Sequence, residues 1–411
     1  MLPGTMRRLL LATALAALAF VAYVSTGHIH YVGDSVSTSL VAVVILSDAS
    51  VRLDRFAEAW GSELPYFLAR TPRGVVSRYP VAAGLLAAPL MAPALLAPTA
   101  PVQAQLDAAH RQEKYAAAFI TAVSVAVFAL LCWQLGFTDW LTVGLTLFYA
   151  FGSQAFSTSS QLLWQHGPGT LLILLAFLCF ARLQHGATRP LAVGFALAWA
   201  VAVAIRPMNI LLVAPLVVLA LYRFPRKAAL LLPAMFVGAP VLLYNLYFFQ
   251  AIRGGYVTQP PFVGAHPWDG VLGLLLSPGR GLFLYFPIAV VALAMACRRA
   301  TGDIVSAALV SFGALVLFYG SYVYWHAGGS VGPRYLTEVQ PLLLIVLGLL
   351  WPPRARTLGT VCFGVLLPYC VFIQAVSAYT TGPSRWNVDR GRDGEVALWD
   401  FRDNPIVHTF R

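Results

Sequence analysis

Long apolar runs separated by short polar breaks dominate this chain. Runs long enough to cross a bilayer, allowing for tilt, fall at roughly 9–26, 115–135, 139–156, 167–183, 190–205, 207–222, 228–249, 282–297, 303–324, 335–351 and 356–376. A hydrocarbon core of about 30 Å needs about 20 such residues at 1.5 Å rise each. The pattern predicts an all-α polytopic membrane protein with about eleven transmembrane helices. Residues 80–98 are also apolar, but Pro80, Pro89, Pro93 and Pro98 would leave backbone carbonyls unpaired in lipid.

Charge decides where that broken stretch belongs. If 80–98 stays out of the hydrocarbon, Arg182 and Arg189, Arg223-Arg226-Lys227, Arg298-Arg299, and Arg354-Arg356 all share a side with Arg7-Arg8. That side is then cytoplasmic by the positive-inside tendency; if 80–98 crosses, the four groups move opposite. The stretch is therefore expected as short, broken helices at the outer surface. The expected organisation is a transmembrane unit over 1–376, with 27–114 as a first outer loop carrying juxtamembrane helices, followed by an outer-face tail over 377–411. The run after Arg7-Arg8 has no small-residue cleavage site before Gly33-Asp34 and reads as an uncleaved first span.

Composition excludes several classes of function. With 59% hydrophobic and 10% charged residues, there is too little polar surface for a soluble globule. The net charge of +11 comes from arginines scattered in pairs rather than forming a basic face, which fits topology signals and anionic lipid and excludes nucleic acid as a partner. All five cysteines lie in apolar segments at spacings unlike those of metal sites, so no disulfide framework is expected. No phosphate loop, dinucleotide fingerprint or nucleophile elbow is present. Any energy must come from an activated substrate.

The polar residues that remain gather on the expected outer side. Asp34 follows the first run, and an acid at a bilayer surface is costly and usually functional. It reads either as the N-cap of the helix that Ser35 to Leu46 would form or as a general base toward a hydroxyl. Arg78, Arg206, Arg280 and Arg334 stand at outer segment ends, each within two residues of a proline. Singly, each reads as snorkelling to lipid phosphate; converging, they would grip a phosphate leaving group. Tyr79 and Tyr335 adjoin two of these arginines as substrate-lining candidates, and His166 opens a span as either a structural group or another lining residue. No His/Asp/Glu cluster with metal spacing accompanies it.

Several strings together resemble the GT-C superfamily of integral-membrane glycosyltransferases, in particular bacterial members related to protein O-mannosyltransferases and lipid A aminoarabinose transferases. They are Gly33-Asp34, Arg78-Tyr79-Pro80, Arg206-Pro207, Tyr244-Asn245, Leu276-Ser-Pro-Gly-Arg-Gly-Leu-Phe283, Gly328-Gly-Ser-Val-Gly-Pro-Arg-Tyr-Leu336 and Leu398-Trp-Asp-Phe-Arg-Asp403. The resemblance implies a GT-C fold and an outer-face enzyme of the bacterial inner membrane. That enzyme would move a hexosyl or pentosyl group from a polyprenyl-phosphate-linked sugar to an acceptor hydroxyl on a glycan, lipid or protein. Asp34 would be the inverting base. One carboxylate suffices, because a phosphate leaving group needs no general acid, whereas a glycosidase uses two. The chain departs from the family in two places: Asp34 is followed by Ser35 where O-mannosyltransferases carry an acidic pair, and His166 stands where many relatives have an acid. No cofactor is expected, a divalent metal being the one the family leaves open. A lipid-linked-sugar flippase and a non-catalytic subunit of an envelope-assembly complex are the alternatives from other classes.

Overall fold

The structure is a computed structural model. It describes residues 4–27, 33–61, 63–97, 99–225, 227–258, 267–299, 302–328, 331–352, 356–390 and 394–411. Of the sequence expectations, those on His28 to Val32, Pro98, Arg226, Gly329-Ser330 and Arg354 lie outside the described residues.

Each expected span is helical. Six helices are long and apolar enough to cross a membrane: Gly4–Ser25, Val102–Gln134, His166–Leu183, Lys227–Phe249, Asp303–Gly320 and Thr357–Tyr379. Shorter helices fill the remaining places at Asp139–Gly152, Arg189–Ile205, Ile210–Arg223, Ile288–Arg299 and Gln340–Leu349. Two begin later than expected, each close to a proline. Pro287 precedes Ile288, and Pro341 occupies the first turn of Gln340–Leu349, where its missing N–H costs nothing.

Burial separates the bundle centre from its lipid face. The apolar windows of Val102–Gln134 and His166–Leu183 are 78% buried, whereas that of Lys227–Phe249 is only 11% buried. A helix apolar on all sides yet so little covered by protein is solvated by lipid. The 33 residues of Val102–Gln134 span about 50 Å, some 20 Å more than a hydrocarbon core. Its first turns therefore project beyond the membrane. There Gly33–Asp48 and Ala82–Met91 pack on it and on each other. The 10 residues of Ala82–Met91 reach only about 15 Å, half a crossing. The proline-broken stretch thus forms one short helix beside Gly33–Asp48.

One element departs from an all-α reading. Leu68–Thr71 pairs antiparallel with Gly74–Ser77, and Thr71 opposes Gly74 across a two-residue turn. The pairing continues where the Arg78 N–H donates to the Phe67 carbonyl, so the next residues outward, Tyr66 and Tyr79, emerge side by side. Neither strand is long enough to show an alternating pattern in the sequence.

The two ends of the bundle differ in chemistry. One is tied by Arg7 to Asp139 at 2.6 Å and Arg223 to Asp303 at 2.7 Å. The other carries the juxtamembrane helices, the hairpin and the polar groups described next. Helix Pro267–Leu276 crosses Asp303–Gly320 there at backbone contact, for a Cβ on Gly270 would collide with the Gly320 carbonyl oxygen. Gly270→Ala is expected to force these helices apart at about 1–3 kcal/mol, read as a lowered Tm in detergent. An unchanged Tm would mean that the crossing yields freely.

Candidate functional site

Asp34 lies in the first turn of Gly33–Asp48. Its Oδ1 accepts hydrogen bonds from the hydroxyls of Tyr66 at 2.6 Å and Tyr79 at 2.8 Å, and its Oδ2 accepts one from Arg334 Nη1 at 3.2 Å. All three partners are distant in sequence, so tertiary contacts hold this carboxylate. Two come from the ends of the hairpin, which explains why a small sheet persists in a helical protein. Burial first, and then the neighbouring carboxylate, push both phenols well above their ordinary pKa. Each stays a hydrogen-bond donor throughout the physiological range.

Arg334 follows Pro333 in the loop before Gln340–Leu349. Its guanidinium lies over the Trp164 ring at 4.4 Å and near Tyr335 at 5.8 Å. Its side chain is 11% exposed. Its Nε is buried without a hydrogen-bond partner.

Behind Arg334 lies a fully buried ionic group. Arg206 donates from Nη1 to Glu338 Oε1 at 2.6 Å and from Nη2 to the Tyr319 hydroxyl at 2.6 Å. His166 Nδ1 lies 2.9 Å from the same Glu338 oxygen and 3.1 Å from Arg206 Nη1. Tyr319 in turn stacks on Tyr335, with ring centroids 4.0 Å apart. The helix breaks around Arg206-Pro207 because proline withholds an N–H and clashes one turn back. The guanidinium consequently projects from the junction of two helices. Breaking such a group by removing one partner is costly, because the other charge is left in low dielectric.

The two remaining arginines are placed differently. Arg280 is 2% exposed and donates to the carbonyls of His326, Gly279 and Gly328 and to Asn387 Oδ1, with Trp386 beneath it at 5.5 Å. It ties the 277–281 turn to the 326–328 loop and the tail. Burial is the main cause that lowers its pKa, to about 10, which leaves it charged. Arg78 donates from Nε to the Leu68 carbonyl at 2.9 Å. It also lines a small cleft of about 50 Å³ with Tyr79, Pro207, Asn245, Arg253 and Tyr256. Other walls of this cleft are Val241, Tyr244 and Phe249, from or beside the lipid-exposed helix Lys227–Phe249. Tyr79 stands between this cleft and Asp34, lining the one and donating to the other.

The candidate residues therefore form two layers. Asp34, Tyr79 and Arg334 meet directly; Tyr335, Arg206 and His166 stand behind; Arg78 borders the cleft; Arg280 braces the loops. Among the described residues no three His, Cys, Asp or Glu side chains converge as metal ligands. The carboxylate beside His166 holds the Arg206 guanidinium through Oε1. Sequence reasoning missed Tyr66, Trp164, Tyr319 and Glu338. Only Glu338 left a signal, as a lone acid at the start of an apolar run.

No protein-family profile and no curated protein matches the sequence. Solved structures do match in shape. ArnT from Cupriavidus metallidurans in the apo state aligns with TM-score 0.56 at 14% identity, covering 99% of this chain and 74% of that one. ArnT from the same organism bound to undecaprenyl phosphate aligns with TM-score 0.55 at 12% identity, covering 97% and 74%. At such identity the likeness is one of fold alone: this helical, membrane-spanning chain shares the architecture of those structures.

Proposed function

We propose that this chain is a glycosyltransferase that takes a sugar from a polyprenyl-phosphate donor and passes it to an acceptor hydroxyl at the outer face of the bacterial cytoplasmic membrane. The observation that carries this reading is the Asp34 carboxylate, held against Arg334 where a cleft from the lipid-facing side reaches Tyr79. The fold shared with a structure bound to undecaprenyl phosphate supports the donor class.

In this reading the donor's isoprenoid tail lies along Lys227–Phe249 and its phosphate reaches the arginines. Asp34 accepts the proton of the acceptor hydroxyl. The acceptor oxygen forms its bond to the anomeric carbon from the face opposite the phosphate, and the carbon–oxygen bond to phosphate breaks with its electron pair. Configuration inverts, and polyprenyl phosphate leaves. Arg334 and Arg78 balance the charge that develops on the leaving group, a large contribution in a water-poor site. Tyr66 and Tyr79 fix the orientation of the base. Arg206 and Arg280 hold the Arg334 loop in place.

Mass spectrometry of polyprenyl-linked lipids from a strain lacking the gene tests this directly. A polyprenyl-phosphate sugar is expected to accumulate, and the normal chain, but not one carrying Asp34→Ala, is expected to clear it. An unchanged lipid profile, or clearance by the alanine variant, defeats the assignment and favours a scaffold.

A further inference from the structure

We infer that Arg334 is a cation with two stations: it rests on Asp34 when no donor is bound, moves to the donor's phosphate when the lipid-linked sugar enters, and so frees the base only in the presence of donor. The inference rests on the proposed glycosyl-transfer reading and adds to it an order of events.

Arg206 and Arg280, both buried, contrast sharply with the partly buried Arg334. Arg206 has a carboxylate at 2.6 Å and a phenol at 2.6 Å, and Arg280 has three carbonyls and an amide oxygen. Each is held through at least two nitrogens. Arg334 has one hydrogen bond among the described residues, at 3.2 Å, through a single nitrogen. Charge-assisted pairs are ordinarily 2.7–2.9 Å and often two-pronged for arginine. Its Nε is buried with nothing to bind, so part of the guanidinium fork awaits an acceptor. The Trp164 face beneath it attracts a cation without fixing its in-plane direction. A guanidinium can therefore shift across that ring while keeping its support.

A phosphate offers what Asp34 does not, namely several oxygens that engage the fork two-pronged. Its charge also rises as the sugar departs, so the second station strengthens along the reaction. The consequence for the base is direct. While Arg334 rests on Oδ2 it occupies that oxygen and keeps an acceptor hydroxyl from it. Once the cation leaves, Tyr66 and Tyr79 still hold Oδ1, and Oδ2 is open to the acceptor hydroxyl.

The test is a double-mutant cycle on binding, read with undecaprenyl monophosphate in detergent and the full-length protein. Asp34→Asn removes the competing carboxylate charge and is expected to tighten binding by about tenfold, well within ordinary coupling energies. Arg334→Gln is expected to weaken binding by a similar factor, and the double variant to bind no better than Arg334→Gln alone. A gain from Asp34→Asn that persists in the Arg334→Gln background would show plain charge repulsion, and no gain would show that the two do not compete; either result overturns the inference. Asp34→Ala and Arg334→Lys repeat the cycle should an amide variant fold poorly, with Tm as the check. If the unmodified protein binds no undecaprenyl phosphate at all, the donor assignment itself falls, a distinct outcome from a cycle that binds without coupling.

Discussion

Asp34→Asn is expected to slow sugar transfer by about 10²–10⁴-fold, the usual contribution of a positioned general base, with protein level and Tm close to normal. The asparagine oxygen can still accept from Tyr66 and Tyr79, so the local structure loses little. What it cannot do is take the proton of the attacking hydroxyl. The magnitude separates roles: a carboxylate that served only as a helix cap would cost about 1 kcal/mol of stability and leave the rate alone. The measurement is single-turnover transfer from a radiolabelled polyprenyl-phosphate sugar in proteoliposomes, beside a thermal unfolding curve. Normal turnover with lowered Tm would reduce Asp34 to a structural residue. Tyr66→Phe and Tyr79→Phe should fall between, since each removes one of two donors to the same oxygen.

Glu338→Ala is expected to carry the largest effect on stability, about 3–5 kcal/mol, because Arg206 would remain buried with no counter-charge. Tyr319 still accepts one of its bonds, but a phenol does not neutralise a guanidinium. Since Tyr335 stacks on Tyr319 and follows Arg334 in the chain, the loosened group should also displace the cation that meets Asp34. Loss of activity is therefore expected even at temperatures where the variant stays folded. The diagnostic control is the paired replacement of Arg206 by Met and Glu338 by Leu, which removes both charges and should recover much of the Tm without recovering activity. A single variant within about 1 kcal/mol of the normal protein would indicate that water reaches the pair.

Hydrophobic patterning was sufficient to foresee helices at the expected spans, because a span must satisfy its own backbone in lipid. Gly33-Asp34, Arg206-Pro207 and the Arg334 string were likewise visible as polar interruptions at helix ends, where any charge is conspicuous. The sequence could not show which interruptions meet. Asp34 and Arg334 are 300 positions apart, and nothing local distinguishes Arg334, with its nearly empty fork, from Arg280, whose donors are spent on loop carbonyls. The four arginines looked equivalent because side-chain type sets charge, whereas function depends on which acceptors the fold has already supplied. The hairpin shows the same division of labour. Its strands are too short for periodicity to register, yet they alone bring Tyr66 and Tyr79 to one oxygen. Membership in the membrane, helical class and the identity of the candidate acid followed from the order of residues; the choice of partners, and with it the site, came from packing, since a hydrogen bond is decided by geometry at a few tenths of an ångström that no one-dimensional pattern records.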